Sequence, residues 1–306
     1  MNEHILIDIQ KTLNIPLTGI KTVLKLLEEG NTIPFIARYR KEATGGLDEE
    51  QINEIFKTWD YQQNLLKRKE DVIRLIDEKG MLTDTLKQEI MQAQKLVEVE
   101  DLYRPYKEKK KTKATEAVAK GLEPLANFMM MFGKEDVIKE AQKFVKEDVP
   151  TVEDAIEGAK YIIAEMISDD ANYRKALRQE MIQHGVVITS VKKNAVDERK
   201  TYEMYYDYQE PVTKIRPHRI LAINRAENEK VLTVKIDVDL ERMIAFLERH
   251  MIRFEQSPVT PYIKEAIDDA LKRLIYPSLE REVRAELTEK GEEQAIEIFY
   301  VNLQKL

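Results

Sequence analysis

The chain has 306 residues, with 49 Lys and Arg against 56 Asp and Glu, a formal net charge of −7 and no cysteine. At roughly 100–200 residues per domain, that length suggests two globular units or one elongated one. Zero cysteine excludes a disulfide framework, a thiolate zinc site, an iron–sulfur cluster and a cysteine nucleophile, and the acidic balance argues against coating nucleic acid with the whole surface.

The opening MNEHILIDIQ lacks the basic and apolar regions of a signal peptide, and no apolar run approaches the ~18–20 residues that span a bilayer. The chain therefore reads as soluble and cytoplasmic. Ile5, Leu6, Ile9 and Leu13 form a first amphipathic stripe, closed by Asn14 and Pro16. Ile20, Val23, Leu24 and Leu27 form a second, and Gly30 is expected to end it in the left-handed region. Asn31 or Thr32 then caps a third helix, with Pro34 in its first turn and Phe35, Ile36 and Tyr39 along it. Residues 17–42 thus fit a helix-turn-helix or an ordinary αα-hairpin, and local sequence favours the hairpin.

A long uninterrupted helix is predicted over Asp48–Lys79, with Gly80 as its stop. Shorter helices follow over Thr83–Ala93, Glu116–Lys120, Pro124–Met131 and Glu135–Val145, then a longer one over Val152–His184, which can break near Ser168. The texture changes at Gly185. Val186–Val191 and Val231–Ile236 read as two strands, with a tyrosine-bearing stretch, Thr201–Gln209, and a helix, His218–Lys230, between them. Helices resume over Leu240–Arg253, Pro261–Tyr276, Pro277–Glu289 and Glu292–Leu306. The expected fold is mainly α: an elongated multi-helix array with a helix-turn-helix-like start and a small two-stranded β element near 186–236. Its expected divisions are 1–80, 81–185 and 186–306. Ile296, Phe299, Tyr300, Leu303 and Leu306 keep an apolar face to the last residue, so the chain reads as a fragment of something longer.

Nothing in the motifs supports catalysis, a metal site or a cofactor. The four histidines are scattered without ligand spacing, and P-loop and H-E-x-x-H patterns are absent. Asp237 and Asp239 could present carboxylates at a strand end, but Asp239 is better placed to cap the helix beginning at Leu240. Asp169-Asp170 reads as a helix junction. The basic segments are more informative. Arg104, Tyr106, Lys107, Lys109, Lys110, Lys111 and Lys113 make a basic, tyrosine-bearing loop able to hold phosphates by charge and bases by stacking. Arg38, Arg40 and Lys41 close the third helix, where they could meet a phosphate backbone or complement the helix dipole. Arg219, beside His218, opens the helix between the strands and could do either.

Three stretches together are recognisable: Ile33–Glu49 (IPFIARYRKEATGGLDE); Glu100–Lys107 (EDLYRPYK) with the following KAT and AKGLEPLA; and Tyr206–Val212 (YDYQEPV) running on to HRILAINR at His218–Arg225. In order and length they resemble the N-terminal signatures of the bacterial Tex family of transcription accessory proteins. The resemblance implies a nucleic-acid-binding factor of transcription without catalytic activity. Such proteins continue into an RNase H-like YqgF-type domain, helix-hairpin-helix elements and an OB-fold RNA-binding domain, none of which is readable here. It also implies similarity to the core of the eukaryotic elongation factor Spt-six. Arg216 and the pair Arg225-Ala226 depart from the family's more usual residues. The implied partners are RNA or DNA, the transcription machinery and the remaining domains of the parent chain, without a membrane. A protein-docking scaffold is the alternative, and a metal-dependent nuclease using Asp237 and Asp239 the remoter one.

Overall fold

The computed structural model describes residues 2–304, excluding the side chains of 297 and 300–304, and the chain divides into two compact units at Tyr103 and Arg104. Mainly helical architecture with a small β element is what the periodicity predicts, and it is what is observed.

The first unit is all helix. Glu3–Leu13, Leu17–Glu28 and Ile33–Tyr39 pack with one long helix, Glu49–Asp77, and their apolar stripes converge on Leu6, Ile9, Ile20, Val23, Ile36, Ile52 and Ile55. Burying such a side chain contributes about 1.5–3 kcal/mol, so these residues fix how the short helices lie. Asp48 starts the long helix with a capping box: its carboxylate accepts from the Gln51 amide while the Gln51 side chain accepts from the Asp48 amide. Lys41–Thr44, Asp84–Gln92 and Leu96–Tyr103 complete the unit.

The second unit is organised around Val152–Asp169, whose Ala155, Ala159, Ile163 and Ala164 are wholly buried. The helix breaks at Asp170 rather than Ser168. Asp170 ends it and also caps Ala171–His184, accepting from the amides of Asn172 and Tyr173, so the junction reading of Asp169-Asp170 holds. Three strands form the sheet, not two. Val186–Val191 is central and antiparallel to both Asp207–Pro211 and Leu232–Asp237. Leu232, Val234 and Ile236 face the core while Thr233, Lys235 and Asp237 face solvent. Burial pushes the Tyr276 hydroxyl up to about 12, with Glu280 and Asp237 adding to the shift; it stays protonated and donates to the Ile236 carbonyl at 2.6 Å.

From Thr260 the backbone runs helically to Gln304, through a π segment at Ala270–Ile275. The expected interruptions at Pro277 and Gly291 do not occur. Pro277 falls just after the π segment, where the i→i−4 ladder is already broken, so its missing N–H removes little. Gly291 is a packing residue: a Cβ there would come within 3.2 Å of both the Pro217 carbonyl oxygen and Leu221. Ile296 and Phe299 are exposed on this helix, whereas the Tyr300 and Leu303 side chains and Leu306 lie outside the described residues.

Arg174 is the deepest charge in the unit, with no exposed surface. It donates to Ser278 at 3.1 Å and pairs with Glu282, which Arg178 also engages at 2.8 Å, so Ala171–His184 is pinned to the final helix. Burial pushes the Glu282 carboxyl up, but Arg178, Arg174 and Ser278 outweigh it and hold the group below its usual range.

Candidate nucleic-acid interface

Arg38, Arg40 and Lys41 lie in the first unit. Gly30, at φ +87°, ends Leu17–Glu28 as expected, and Thr32 caps the next helix by accepting from the Phe35 amide. The seven-residue helix Ile33–Tyr39 has one inward stripe, centred on fully buried Ile36. Residues three and four apart share a face, so Phe35, Arg38 and Tyr39 can turn outward together. They do: Arg38 is exposed, Phe35 is 37% exposed and Tyr39 67%. The two rings lie 5.1 Å apart, and the Arg40 guanidinium sits 5.6 Å over the Phe35 ring. Among the described residues, Arg38, Arg40 and Lys41 form no ion pair. Glu42 is the one acid in the run.

The basic loop lies in the second unit and is arranged differently. It opens as a 3₁₀ turn, Arg104–Tyr106, is irregular from 107 to 112, and ends where Lys113–Ala119 begins, earlier than the predicted Glu116. Thr112 sets that start through a reciprocal capping interaction with Thr115, and its hydroxyl donates to Glu165 at 3.1 Å. Lys109 bridges Glu165, at 2.9 Å, and Asp169. Arg104 approaches the other Asp169 oxygen at 3.4 Å. Burial pushes the Asp169 carboxyl up, and contacts from Lys109 only partly offset this. Lys111 pairs with Glu116 at 3.2 Å, and Lys113 donates to the Tyr161 hydroxyl at 3.2 Å with its ammonium 4.5 Å over that ring. Tyr106 is half-buried, and Lys107 and Lys110 are exposed.

Arg219 is engaged within the fold. It donates to Tyr208 at 3.1 Å and to both Glu210 oxygens at 2.8 and 2.9 Å, tying Pro217–Asn228 to the edge strand. Burial pushes Glu210 up, but the hydrogen bonds from Tyr208 and Arg219 win and its carboxyl sits below the usual range. Asp239 accepts from the Arg242 amide at 3.0 Å as a helix cap, while Asp237 is exposed, 3.4 Å from Lys235. Among the described residues, no group of three or more acidic or histidine side chains is placed to hold a metal, and no helix is long and apolar enough to cross a membrane.

The predicted cations therefore fall into a set without ion pairs among the described residues, with Arg38 on Ile33–Tyr39, Arg40 just past its end and Lys41 opening the next short helix, Lys41–Thr44, rather than all three closing one helix, and a largely paired set elsewhere. The outward aromatic pair was not anticipated as a surface feature, because Phe35, Ile36 and Tyr39 are all apolar positions of one short helix and the spacing alone does not say which is buried. Together these features define a mainly helical chain with an exposed cationic and aromatic surface. Residues 3–77 match the family described as Tex-like protein N-terminal domain, and residues 134–299 that described as Tex central region-like. The chain belongs to the Tex family of transcription accessory proteins. It is 51% identical over 97% of its length to uncharacterized protein YdcI of Bacillus subtilis, and covers 42% of that relative. It is 34% identical to transcriptional accessory protein Tex of Neisseria gonorrhoeae, over 94% of this chain and 39% of the relative. It is 30% identical to human S1 RNA-binding domain-containing protein 1, over 93% of this chain and 30% of the relative. The chain spans about two fifths of the length of the bacterial relatives it matches.

Proposed function

We propose that this chain is the N-terminal helical part of a transcription accessory protein, in which it supports the domains that follow and adds a nucleic-acid surface without sequence readout. The role is binding and support rather than catalysis, carried out in the cytoplasm alongside the transcription machinery. The observation that carries the reading is the exposed trio Arg38, Arg40 and Lys41, free of ion pairs among the described residues. Cations without carboxylate partners can neutralise phosphates and release the counterions condensed on them, which gives affinity that depends on salt and not on sequence. The names of two relatives, one transcriptional and one RNA-binding, agree with this.

The test is fluorescence anisotropy of labelled single-stranded RNA and of duplex DNA, at about 50 and 200 mM salt. Neutralising three phosphates predicts an affinity loss of roughly 10–20-fold on a single strand across that range, from the slope of about −0.7 per phosphate. A rival reading, a protein-docking scaffold alone, draws on Phe56, 42% exposed on the long Glu49–Asp77 helix. It requires no nucleic-acid binding at tens of micromolar in low salt.

A further inference from the structure

We infer that Tyr39, backed by Phe35, is a stacking platform for the unpaired bases of a single-stranded nucleic acid whose phosphates lie on Arg38, Arg40 and Lys41. This rests on the reading of those three cations as a phosphate-holding surface, and adds the class of strand that the surface accepts.

The Ile33–Tyr39 helix buries Ile36 completely and leaves Tyr39 67% and Phe35 37% exposed. Arg40 covers one face of the Phe35 ring from 5.6 Å, and Phe35 lies 5.1 Å from Tyr39 at an interplanar angle of 42°. Arg40, Phe35 and Tyr39 form one surface cluster, in which Tyr39 is the more exposed of the two rings. A guanidinium over a ring is a cation–π contact that also leaves its outer donors available to a phosphate.

The occupant follows from what such a surface can recognise. In a duplex both faces of every base are covered by its neighbours, and a protein reads edges with polar side chains. A phenol ring has little to offer a base edge, but it can cover an unstacked base face, and any base has one. The three unpaired cations within the same short run supply the complementary charge that a protein partner with an acidic groove would lack a reason to combine with open ring faces. The pattern of cations interleaved with aromatic rings is that of proteins tracking single strands. Neither ring reads a particular base or the sugar, so DNA and RNA single strands are bound alike.

The experiment uses the full chain with three probes of equal phosphate number: a twelve-nucleotide oligo(dT), the same strand built of abasic sites, and a duplex. Oligo(dT) is expected to bind about tenfold more tightly than the abasic strand, the effect of stacking roughly one base. Tyr39→Ala removes that preference without weakening the abasic strand, and Tyr39→Trp keeps or strengthens it. Equal affinity for oligo(dT) and the abasic strand, with both lost in Arg38→Ala, Arg40→Ala, Lys41→Ala combined, overturns the stacking inference while leaving the phosphate surface intact. A preference for the duplex overturns it too. No binding by any probe removes the phosphate surface itself, and the inference with it.

Discussion

Arg38–Lys41 and Arg104–Lys113 look alike along the chain: each is a short basic run with tyrosine nearby, and the second is the richer in charge. In three dimensions their order reverses. Lys109 bridges Glu165 and Asp169, Arg104 approaches Asp169, and Lys111 pairs with Glu116, whereas Arg38, Arg40 and Lys41 form no ion pair among the described residues. The poorer run keeps its charge available and the richer one has most of its charge committed to the fold. Local charge density is therefore a weak guide to an anion surface. What counts is the charge left after folding has brought acids from elsewhere in the chain.

The comparison implies that cations divide into those that hold the fold and those that hold a ligand, and variants should separate the two. Arg174 is the extreme of the first kind. Arg174→Met leaves Glu282 with Arg178 alone and should cost about 3 kcal/mol, within the range for breaking a buried pair. For a unit of this size that is roughly 6–12 °C in Tm, read by calorimetry, with nucleic-acid affinity unchanged below the transition. The acid limb should change as well. Glu282 has its carboxyl held low in the folded chain, so its contribution is present above the unfolded carboxylate value and is lost as pH falls through the folded one. The variant should lose less stability than the parent below about pH 4.5. A Tm within a degree or two of the parent would mean the buried pair is dispensable.

Replacing Arg38, Arg40 and Lys41 together by Ala is the opposite case. Affinity for a single strand at about 50 mM salt should fall at least ~10-fold and the salt slope should flatten by about two, while exposed-surface changes of this kind move stability by only about 0.5 kcal/mol. A variant that binds as before would break the comparison at its strong end.

Much of the fold follows from local rules, and the exceptions share one cause. The capping box at Asp48, the stop at Gly30 and the cap at Asp239 are each specified within a few residues, and each is found where the local chemistry puts it. The third strand, Asp207–Pro211, has no such signature: its side chains are exposed or half-buried and it ends on proline, as an edge strand can. Its place depends on Val186–Val191, not on its own alternation. The π segment at Ala270–Ile275 likewise has no local signature, since the sequence there reads as ordinary helix. The same limit governs the site. Phe35 and Tyr39 were readable only as apolar positions along their helix together with Ile36, and Asp169 lies sixty residues from Lys109 with nothing local to announce their meeting.

Lys109→Ala tests that meeting directly. It should cost about 1 kcal/mol, since the three side chains are 12–24% exposed and partly screened, and should leave oligonucleotide affinity unchanged. The pH dependence gives the cause. Burial already holds Asp169 above its unfolded value, and removing Lys109 raises it further. A raised carboxyl stabilises the fold when protonated, and that advantage is lost as pH rises through the folded value. The deficit of the variant should therefore be larger at pH 7 than at pH 4.5. An equal deficit at both would place the effect in lost packing of the lysine stem rather than in charge.

The smallest effect expected is the sharpest for the comparison itself. Lys110 and Lys111 are exposed; Lys111 has a partner in Glu116, and the face behind them carries Asp169 and Glu165. If committed charge is unavailable charge, replacing both by Ala should lower single-strand affinity by no more than about twofold at 50 mM salt, because the ions around the loop already sum to little and the Debye length there is only about 14 Å. A tenfold loss would show that a polyanion can strip Lys111 from Glu116 and recruit the loop despite its internal pairs. Sequence charge density would then be the better guide after all, and the second run would be a binding surface in its own right rather than a strut.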